Sequence, residues 1–416
     1  MFTTTGALIG LALAIVLIVR KVTPAYALVL GALVGGISGG GGLEGTVKAM
    51  IAGTQSMMPS VLRILASGVL VGALVKTGSA AKIADAIVSG LGNRFALAAV
   101  ALATMIVCVV GVFIDISVIT VAPVALAIGR KANISVPALL LAMIGGGKAG
   151  NVISPNPNTI AASEAFKLDL TSLMFANLVP AVCALAVTVV LAMWLARRTK
   201  GAANGSESVL DANAQALPSV WQAVLGPIVV VALLALRPLC GIVVDPLVAL
   251  PAGGLVAILA CGEWRQTVAY SEFGLSKVVG VSILLVGTGT VAGIVKASGL
   301  NADVISLLNG CHLPMWALAP VSGVLMAGAT ASTTAGATIA AQTFSGALLS
   351  AGVPALASAA MIHAGATMID SLPHGSFFHA TGGAVGLSVK DRLRLIPYEA
   401  AVGLTSTLVA VLLFAL

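Results

Sequence analysis

The chain of 416 residues has little charge: only 8% of its residues are Asp, Glu, Lys or Arg, whereas 59% are hydrophobic. Soluble domains carry roughly 25% charged residues, so this chain has too little polar surface to cover a core in water. Its net charge is +7, but the basic residues are scattered between apolar runs. They provide no continuous basic surface, which excludes a nucleic-acid binding protein. The composition predicts a polytopic membrane protein.

Metal-ligand and disulfide patterns are also missing. The five cysteines have no CxxC spacing, and neither HExxH nor H-x-E followed by C-x-x-C occurs. Zinc sites and disulfide frameworks depend on such spacings, so we expect no metal site and no cofactor. The sequence shows no nucleophile pattern either. We therefore predict that the protein is not an enzyme.

Apolar segments bounded by Gly, Pro or charged residues recur along the chain, as expected of membrane-spanning helices. In the first half they predict spans near residues 6–19, 24–41, 60–77, 135–168 and 171–196, the fourth of them interrupted. An amphipathic stretch at 79–92 is expected to lie along the membrane surface. The apolar run 97–129 contains Asp115 at a polar dent. It predicts a re-entrant helical hairpin, with two full spans as the alternative.

A hydrophilic segment, 198–218, divides the chain into two halves, 1–197 and 219–416, and is predicted to be a cytoplasmic linker. The second half repeats the plan, with spans near 221–236, 242–261 and 276–296, an apolar hairpin at 314–350, an interrupted span from 353 and a last span at 395–416. Local similarities recur in the same order in both halves, for example 23–37 with 245–259 and 148–158 with 363–375. Together they predict an internal repeat.

Basic clusters orient the chain, because such residues concentrate on the cytoplasmic side. These clusters are Arg20-Lys21, Lys76-Lys82-Arg94, Arg130-Lys131, Arg197-Arg198-Lys200 and Lys390-Arg392-Arg394. Five crossings per half satisfy all of them, and an odd number makes the halves inverted copies. Inverted repeats with matched broken helices are typical of secondary transporters. The predicted fold is thus an all-α polytopic membrane protein with two inverted five-span halves, each with a re-entrant hairpin and a discontinuous helix.

The first predicted break, Gly145 to Thr159, contains a run of three glycines and two prolines. Gly and Pro interrupt helical hydrogen bonding, and unpaired backbone survives at membrane depth only beside a cavity. Thr159 is expected to cap the following half-helix, whose positive end would face an anion. The candidate substrate-binding residues here are Lys148, Asn151, Ser154, Asn156, Asn158 and Thr159. An ordinary loop outside the membrane is the alternative.

The second predicted break, His363 to Thr381, concentrates groups that titrate near neutral pH. Its candidate proton-coupling residues are Asp370, His363, His374 and His379, to which the hairpin residue Asp115 is added. Ser371 and Ser376 are candidate substrate contacts, and Ser376 is expected to cap a helix that begins at Phe377. A metal site and ordinary polar packing are the alternatives.

The tip of the second hairpin carries a run of hydroxyl side chains. Ser332, Thr333 and Thr334 could present hydroxyls and amides to a carboxylate or a cation. Hydroxyl residues are also common packing residues between membrane helices, which is the alternative interpretation.

Two long motifs, KAGNVISPNPNTIAASEAF (148–166) and MIHAGATMIDSLPHGSFFHATGG (361–383), resemble the gluconate permease family of bacterial organic-acid:proton symporters, within the ion transporter superfamily. They look like its gluconate-symporter-like or 3-hydroxybutyrate permease-like members. The resemblance covers essentially the whole chain. It implies two re-entrant hairpins and two unwound helices around a central anion site, in a dimer with a scaffold domain and a moving transport domain.

One segment departs from the family pattern. This chain has Ser154-Pro155-Asn156-Pro157 where gluconate transporters carry a Pro-Pro-His-Pro type sequence. The difference favours a smaller monocarboxylate, such as a hydroxybutyrate, over a sugar acid.

We therefore expect a multi-pass protein of the bacterial inner membrane that acts as a proton-coupled, elevator-type symporter. Its expected substrate is a small hydroxycarboxylate anion such as 3-hydroxybutyrate or gluconate, and its expected partners are the proton, the lipid bilayer and a second copy of the chain. Sodium coupling is the nearest alternative, because unwound carbonyls and hydroxyls also suit that ion. An intramembrane enzyme and a passive channel are alternatives from other classes.

Overall fold

The computed structural model describes residues 2–199, 217–310 and 313–415, so the predicted linker 198–218 lies mostly outside the described residues. Within those ranges the regular structure is helical, which confirms the predicted all-α class.

The first half contains α1 (Thr4–Val19), α2 (Pro24–Ser38), α3 (Gly42–Gln55), α4 (Met58–Lys76), α5 (Ser79–Leu91), α6 (Ala96–Val109), α7 (Ile114–Lys131), α8 (Val136–Asn151), α9 (Pro157–Ala165), α10 (Leu170–Ala176) and α11 (Leu178–Arg198). The second half contains α12 (Val220–Cys240), α13 (Pro246–Ala260), α14 (Thr267–Lys296), α15 (Leu300–Gly310), α16 (Leu318–Thr330), α17 (Thr333–Ser350), α18 (Ala355–Gly365), α19 (Ser376–Ala384), α20 (Val389–Leu393) and α21 (Ile396–Phe414).

Several helical segments are long and apolar enough to cross a bilayer. In the described part of the chain these are Met58–Lys76, Leu178–Arg198, Val220–Arg237, Trp264–Lys296 and Val389–Phe414. Ser79–Leu91 and Asn93–Val109 form a pair bent by 105°, which adds a sixth if it is counted as one broken span. Other predicted spans correspond to shorter apolar helices, such as α1, α2 and α13. The chain is therefore a polytopic membrane protein that combines full spans with short helices.

The helix α3 was not predicted from the sequence. The predicted span 24–41 is too long: α2 ends at Ser38, because Gly40 and Gly42 take positive φ values and turn the chain. Beyond that turn α3 packs along α14, where Gly53 and Gly293 let the two backbones touch. In the next helix, Gly72 of α4 lies against the backbone of Tyr270, near the N-terminus of α14. α3 and α4 thus follow each other along the length of α14, antiparallel to it.

Each half of the chain contains a helical hairpin that packs against a helix of the other half. α6 packs against α7 to form the first, and α16 packs against α17 to form the second. α7 then contacts α19 of the second half, whereas α17 contacts α9 of the first half. The second arm of each hairpin therefore supports the half-helix that follows the break in the opposite half.

The first break starts later than the glycines suggested. Gly145 to Lys148 are helical, and α8 continues to Asn151. Gly146 lies against the backbone of Ala101 in α6, and Gly145 lies against Thr188 of α11. The predicted start of the break at Gly145 is wrong, because these glycines serve close helix packing rather than unwinding. The unwound segments are 152–156 between α8 and α9 and 366–375 between α18 and α19.

Candidate functional site

The two breaks meet at a buried ion pair. The Nζ of Lys148, in the last turn of α8, lies 2.6 Å from the Oδ1 of Asp370 in the second unwound segment, and both side chains are 2% exposed. Lys148 also donates to the carbonyl oxygens of Thr367 at 2.7 Å and Glu399 at 3.4 Å. Each half of the chain therefore supplies one charge of the pair, and neither charge is left uncompensated.

Among the described residues, the carboxylate of Asp370 has three side-chain hydrogen-bond partners. In addition to Lys148, it accepts a hydrogen bond on Oδ2 from the hydroxyl of Thr333, the first residue of α17. Its Oδ1 also accepts from Ser371 Oγ at 3.0 Å. The second break, the second hairpin and the end of α8 are thus joined at one carboxylate. Protonating Asp370 would change contacts to all three.

A network of asparagines holds the first break. Asn156 donates to both Oδ1 and the carbonyl oxygen of Asn151 at 2.7 Å, and Asn158 donates to the same Oδ1 at 3.1 Å. Asn156 Oδ1 accepts from the backbone amides of Asn158 and Thr159, so Asn156 is the N-cap of α9. The predicted capping role of Thr159 is wrong, because Thr159 lies inside α9 and its hydroxyl donates to the carbonyl of Ser154. The amides at the start of α9 are therefore already satisfied.

The start of α19 differs from that of α9. Its N-cap is Gly375, which has no side chain to accept from the first-turn amides. The predicted cap Ser376 is wrong, because it is the first residue of the helix itself. Gly375, Ser376 and Phe377 line a cavity. This helix start presents amide donors and the positive end of the helix dipole to that cavity.

The cavity has a volume of about 750 Å³ and lies between the two breaks, the hairpin tips, the α1–α2 turn and the middle of α14. Of the residues predicted to bind substrate or couple protons, ten line it: Asp115, Asn151, Asn158, Ser332, Thr333, Thr334, Asp370, His374, Ser376 and His379. Sequence positions more than 260 residues apart therefore share one chamber.

The other six predicted residues lie outside that lining: Lys148, Ser154, Asn156, Thr159, His363 and Ser371. Lys148 does not line the cavity, but its ion-pair partner Asp370 does. Ser154 donates to the carbonyl of Cys108 at 2.6 Å and fixes the first break to α6. His363 is fully buried in α18, and neither ring nitrogen has a hydrogen-bond partner among the described residues.

The three histidines of the second motif do not form one cluster with Asp370. His374 and His379 are exposed and contact the carbonyl oxygens of Ala329 and Pro373, respectively. The hydrogen-bond partners of Asp370 among the described residues are Lys148, Thr333 and Ser371, with no histidine. Within the described ranges, no group of three or more His, Cys, Asp or Glu is arranged to hold a metal ion.

Two exposed lysines of the cavity, Lys21 and Lys277, were not among the predicted site residues. Lys21 was assigned only to a cytoplasmic flank, although the α1–α2 turn brings it to the cavity. Lys277 is a basic residue within the long apolar helix α14, a pattern that could have identified it. Both add positive potential to a chamber that also contains Asp115 and Asp370.

Arg392, which belongs to the basic cluster predicted at 390–394, is buried. It is 1% exposed and pairs with the equally buried Glu399 of α21. Its guanidinium also lies 4.8 Å from the ring centre of Phe378 and donates to Thr381, both in α19. Of the three basic residues in this cluster, Lys390 and Arg394 are exposed, whereas Arg392 connects α19 to α21.

Comparison with known proteins is consistent with this architecture. The family described as GntP family permease matches residues 2–416. An uncharacterized transporter of Haemophilus influenzae is 53% identical over 98% of this chain and 97% of its own length. The Gnt-II system L-idonate transporter of Escherichia coli is 22% identical over 79% of this chain and 81% of its own length. The crystal structure of the Alcanivorax borkumensis YdaH transporter, described as having an unusual topology, matches with a TM-score of 0.68 and 16% identity, covering 90% and 89% of the two chains.

Proposed function

Because the chain belongs to the GntP family of permeases, we propose that it is a proton-coupled secondary transporter of a small hydroxycarboxylate anion. The observation that carries the proposal is the buried pair of Lys148 and Asp370 where the two breaks meet, with Asp370 facing the cavity. In this proposal Asp370 carries the coupling proton, and the cavity holds the substrate.

Charge balance at the pair explains why proton and anion would move together. Without ligands, Lys148 and Asp370 neutralise each other. When Asp370 is protonated, Lys148 keeps its charge, and a substrate carboxylate restores neutrality. A proton alone would leave an unpaired positive charge at membrane depth, and an anion alone would leave a negative one, both of which are costly. Only the empty pair and the doubly loaded pair carry no net charge, which predicts one proton per anion at this pair.

The start of α19 supplies the other half of the anion site. Its uncapped amides and Ser376 face the cavity, whereas the amides of α9 are occupied by Asn156. The carboxylate would accept hydrogen bonds from α19, and the substrate hydroxyl would contact Asn151, Asn158 or Thr334. A sugar acid or a hydroxybutyrate carries both groups. The L-idonate transporter among the relatives supports a hydroxycarboxylate as substrate.

The proposal includes inverted halves, 1–197 and 219–416, that work as an elevator in a homodimer. The reciprocal packing of α7 on α19 and α17 on α9 supports the inverted relationship. In that arrangement the breaks and hairpins form the transport unit. The helices α1, α2, α4, α12, α13 and α14 form the scaffold against which it moves.

Uptake into proteoliposomes tests the coupling. Labelled 3-hydroxybutyrate and gluconate are each offered with an inside-alkaline pH gradient while the membrane potential is clamped. We expect the gradient to drive accumulation that a protonophore abolishes and that replacement of sodium by choline leaves unchanged. Accumulation that ignores the pH gradient would refute proton coupling.

Asp370→Asn provides the residue-level test. Because Asn cannot release a proton, this variant should still exchange labelled for unlabelled substrate but should not accumulate it against a gradient. Asp391→Asn is the matched control, since Asp391 pairs with the exposed Arg394 away from the cavity. Undiminished accumulation by Asp370→Asn would remove Asp370 from the coupling role.

Sodium coupling is the second candidate. It is favoured by Asp115, which lines the same cavity as the hydroxyls of the second hairpin tip. Among the described residues no salt bridge involves this carboxylate. Carboxylate, hydroxyl and carbonyl oxygens are ligands that suit a hard cation. Accumulation that stops when choline replaces sodium, and that Asp115→Asn abolishes, would favour this candidate.

A further inference from the structure

A second charged cluster surrounds a separate pocket of about 130 Å³. Arg63 of α4 forms a bidentate interaction with Asp245, the N-cap of α13, at 2.9 Å and 2.6 Å. The remaining terminal nitrogen of Arg63 donates to Glu164 of α9. Beside it, Arg237 of α12 pairs with Asp169, the N-cap residue of α10. Five charged side chains from five places in the sequence therefore meet at one small pocket.

The two kinds of contact in this cluster have different partners. Arg63 and Asp245 both belong to the group α4, α12 and α13, so their bond fixes the direction of the Arg63 side chain. The bonds from Arg63 to Glu164 and from Arg237 to Asp169 instead connect that group to α9 and α10. α9 directly follows the first break. These two bonds are therefore the ones that relative motion of the two groups must open.

The internal repeat pairs this pocket with the large cavity. The segment 245–259 is similar to 23–37, so the turn before α13 corresponds to the turn before α2. Residues 21–25 line the cavity of about 750 Å³, whereas residues 243–246 line the pocket of about 130 Å³. The turn before α2 therefore faces an open cavity, whereas the corresponding turn before α13 faces a small pocket closed by ion pairs.

Basic residues indicate which side is closed. The α1–α2 turn carries Arg20 and Lys21, and α4 ends at Lys76, so these ends are expected in the cytoplasm. Arg63 lies near the other end of α4, and the α12–α13 turn, residues 241–245, contains no basic residue. The cluster is accordingly expected on the external side of the cavity.

We propose that Glu164 and Asp169, bound to Arg63 and Arg237, form an ionic latch that closes the external side and holds the transporter in an inward-open state. This inference rests on the proposed transport function, because a latch has a role only if the site opens alternately to both sides. Opening outward breaks both bonds, while Arg63 keeps Asp245 as its partner and is not left unpaired. The latch therefore sets the balance between the inward-open and outward-open states.

Cysteine accessibility tests the latch without any substrate. The background is a variant whose five native cysteines are replaced by alanine. In it, Ser163→Cys reports on the small pocket, because Ser163 lines that pocket and is only 3% exposed. Val281→Cys reports on the large cavity. A membrane-impermeant maleimide is applied to right-side-out vesicles for the first reporter and to inside-out vesicles for the second.

The test substitution is Glu164→Gln with Asp169→Asn, which removes both bonds and leaves Arg63 paired with Asp245. We expect external labelling of Ser163→Cys to become about two- to fivefold faster for each bond removed, as partly exposed ion pairs allow, and labelling of Val281→Cys to slow. Lys48→Gln, which breaks the exposed pair with Glu44 on α3, is the matched control and should change neither rate.

Unchanged labelling of Ser163→Cys, or faster labelling of both reporters, would overturn the latch, since the latter indicates local loosening rather than a change of state. A charge exchange, Arg237→Asp with Asp169→Arg, should restore protection that Asp169→Arg alone removes. Because labelling needs no substrate, a protein that transports none of the tested carboxylates can still pass this test. Proton-driven uptake with unaltered labelling refutes the latch alone.

Discussion

The ammonium of Lys148 and the carboxylate of Asp370 are 2.6 Å apart, and the two residues are 222 positions apart in the sequence. A buried pair of this kind contributes little net stability, but removal of one partner leaves an unpaired charge in a medium that solvates it poorly. The pair therefore constrains both the fold and the transport cycle.

We predict that the effects of Lys148→Gln and Asp370→Asn on the free energy of unfolding are not additive. Asp370→Asn leaves the Lys148 charge without a counter-ion and should lower the free energy of unfolding by about 3 kcal/mol or more. The double variant removes both charges and should recover most of that loss. Unfolding of the four proteins in detergent, analysed as a double-mutant cycle, measures the coupling. Additive effects would contradict the pairing of these two side chains.

The pair of Arg392 and Glu399 gives a second prediction. Both side chains are 1% exposed, and Arg392 also contacts Phe378 and Thr381 in α19. Glu399→Gln should therefore destabilise the protein by about 3 to 5 kcal/mol. The control is Asp391→Asn, whose partner Arg394 is mostly exposed, and for which we expect at most about 1 kcal/mol. Equal effects of the two substitutions would contradict the importance of the buried pair.

Composition and local pattern predicted much of this architecture. The all-α class, the helical hairpins and the interrupted helices follow from apolar runs broken by Gly, Pro and polar residues, and these signals are local. Ten of the sixteen candidate site residues line one cavity, because breaks in apolar helices leave polar groups that need such a space.

The sequence does not reveal which residue each buried polar side chain pairs with. Lys148 was predicted to meet the substrate, whereas its nearest charged group is Asp370 from the other half of the chain. Arg392 stood among exposed basic residues in the sequence, yet its contacts with Glu399 and Phe378 depend on how α19, α20 and α21 pack. Such contacts are set by tertiary structure, so no window of the sequence contains them.

The glycines of α8 show the same limit and give a third prediction. A run of glycines indicates either unwinding or close packing, and only the neighbouring helix distinguishes them. A Cβ on Gly146 would overlap the backbone carbonyl of Ala101 in α6. Gly146→Ala should therefore lower the free energy of unfolding by about 1 to 3 kcal/mol. Gly45→Ala in α3, where a Cβ meets nothing within 4 Å, is the control and should be neutral or stabilising, because Ala favours a helix. A stable Gly146→Ala variant would show that α6 and α8 are not packed this closely.

The last prediction concerns pH and the bond between Asp245 and Arg63. The hydrogen bond from Arg63 holds the pKa of the Asp245 carboxyl below its ordinary value, with a further contribution from the backbone amide of Leu247. A lowered pKa in the folded state means that Asp245 stabilises the fold at pH values above the ordinary pKa of about 4, and that this contribution disappears as pH falls through the folded-state value.

Thermal unfolding of the wild type and of Asp245→Asn should therefore differ at neutral pH, with the wild type more stable. The difference should shrink as the pH falls below about 4, where the unfolded-state carboxyl takes up its proton, and should be lost once the pH is also below the lowered folded-state pKa. The side chain of Asp245 is 41% exposed, so we expect a modest difference that high salt reduces further. Asp391→Asn is a suitable reference, because Asp391 lies in a separate exposed pair. A stability difference that persists unchanged below pH 4 would mean that Asp245 acts through its shape and not through its charge.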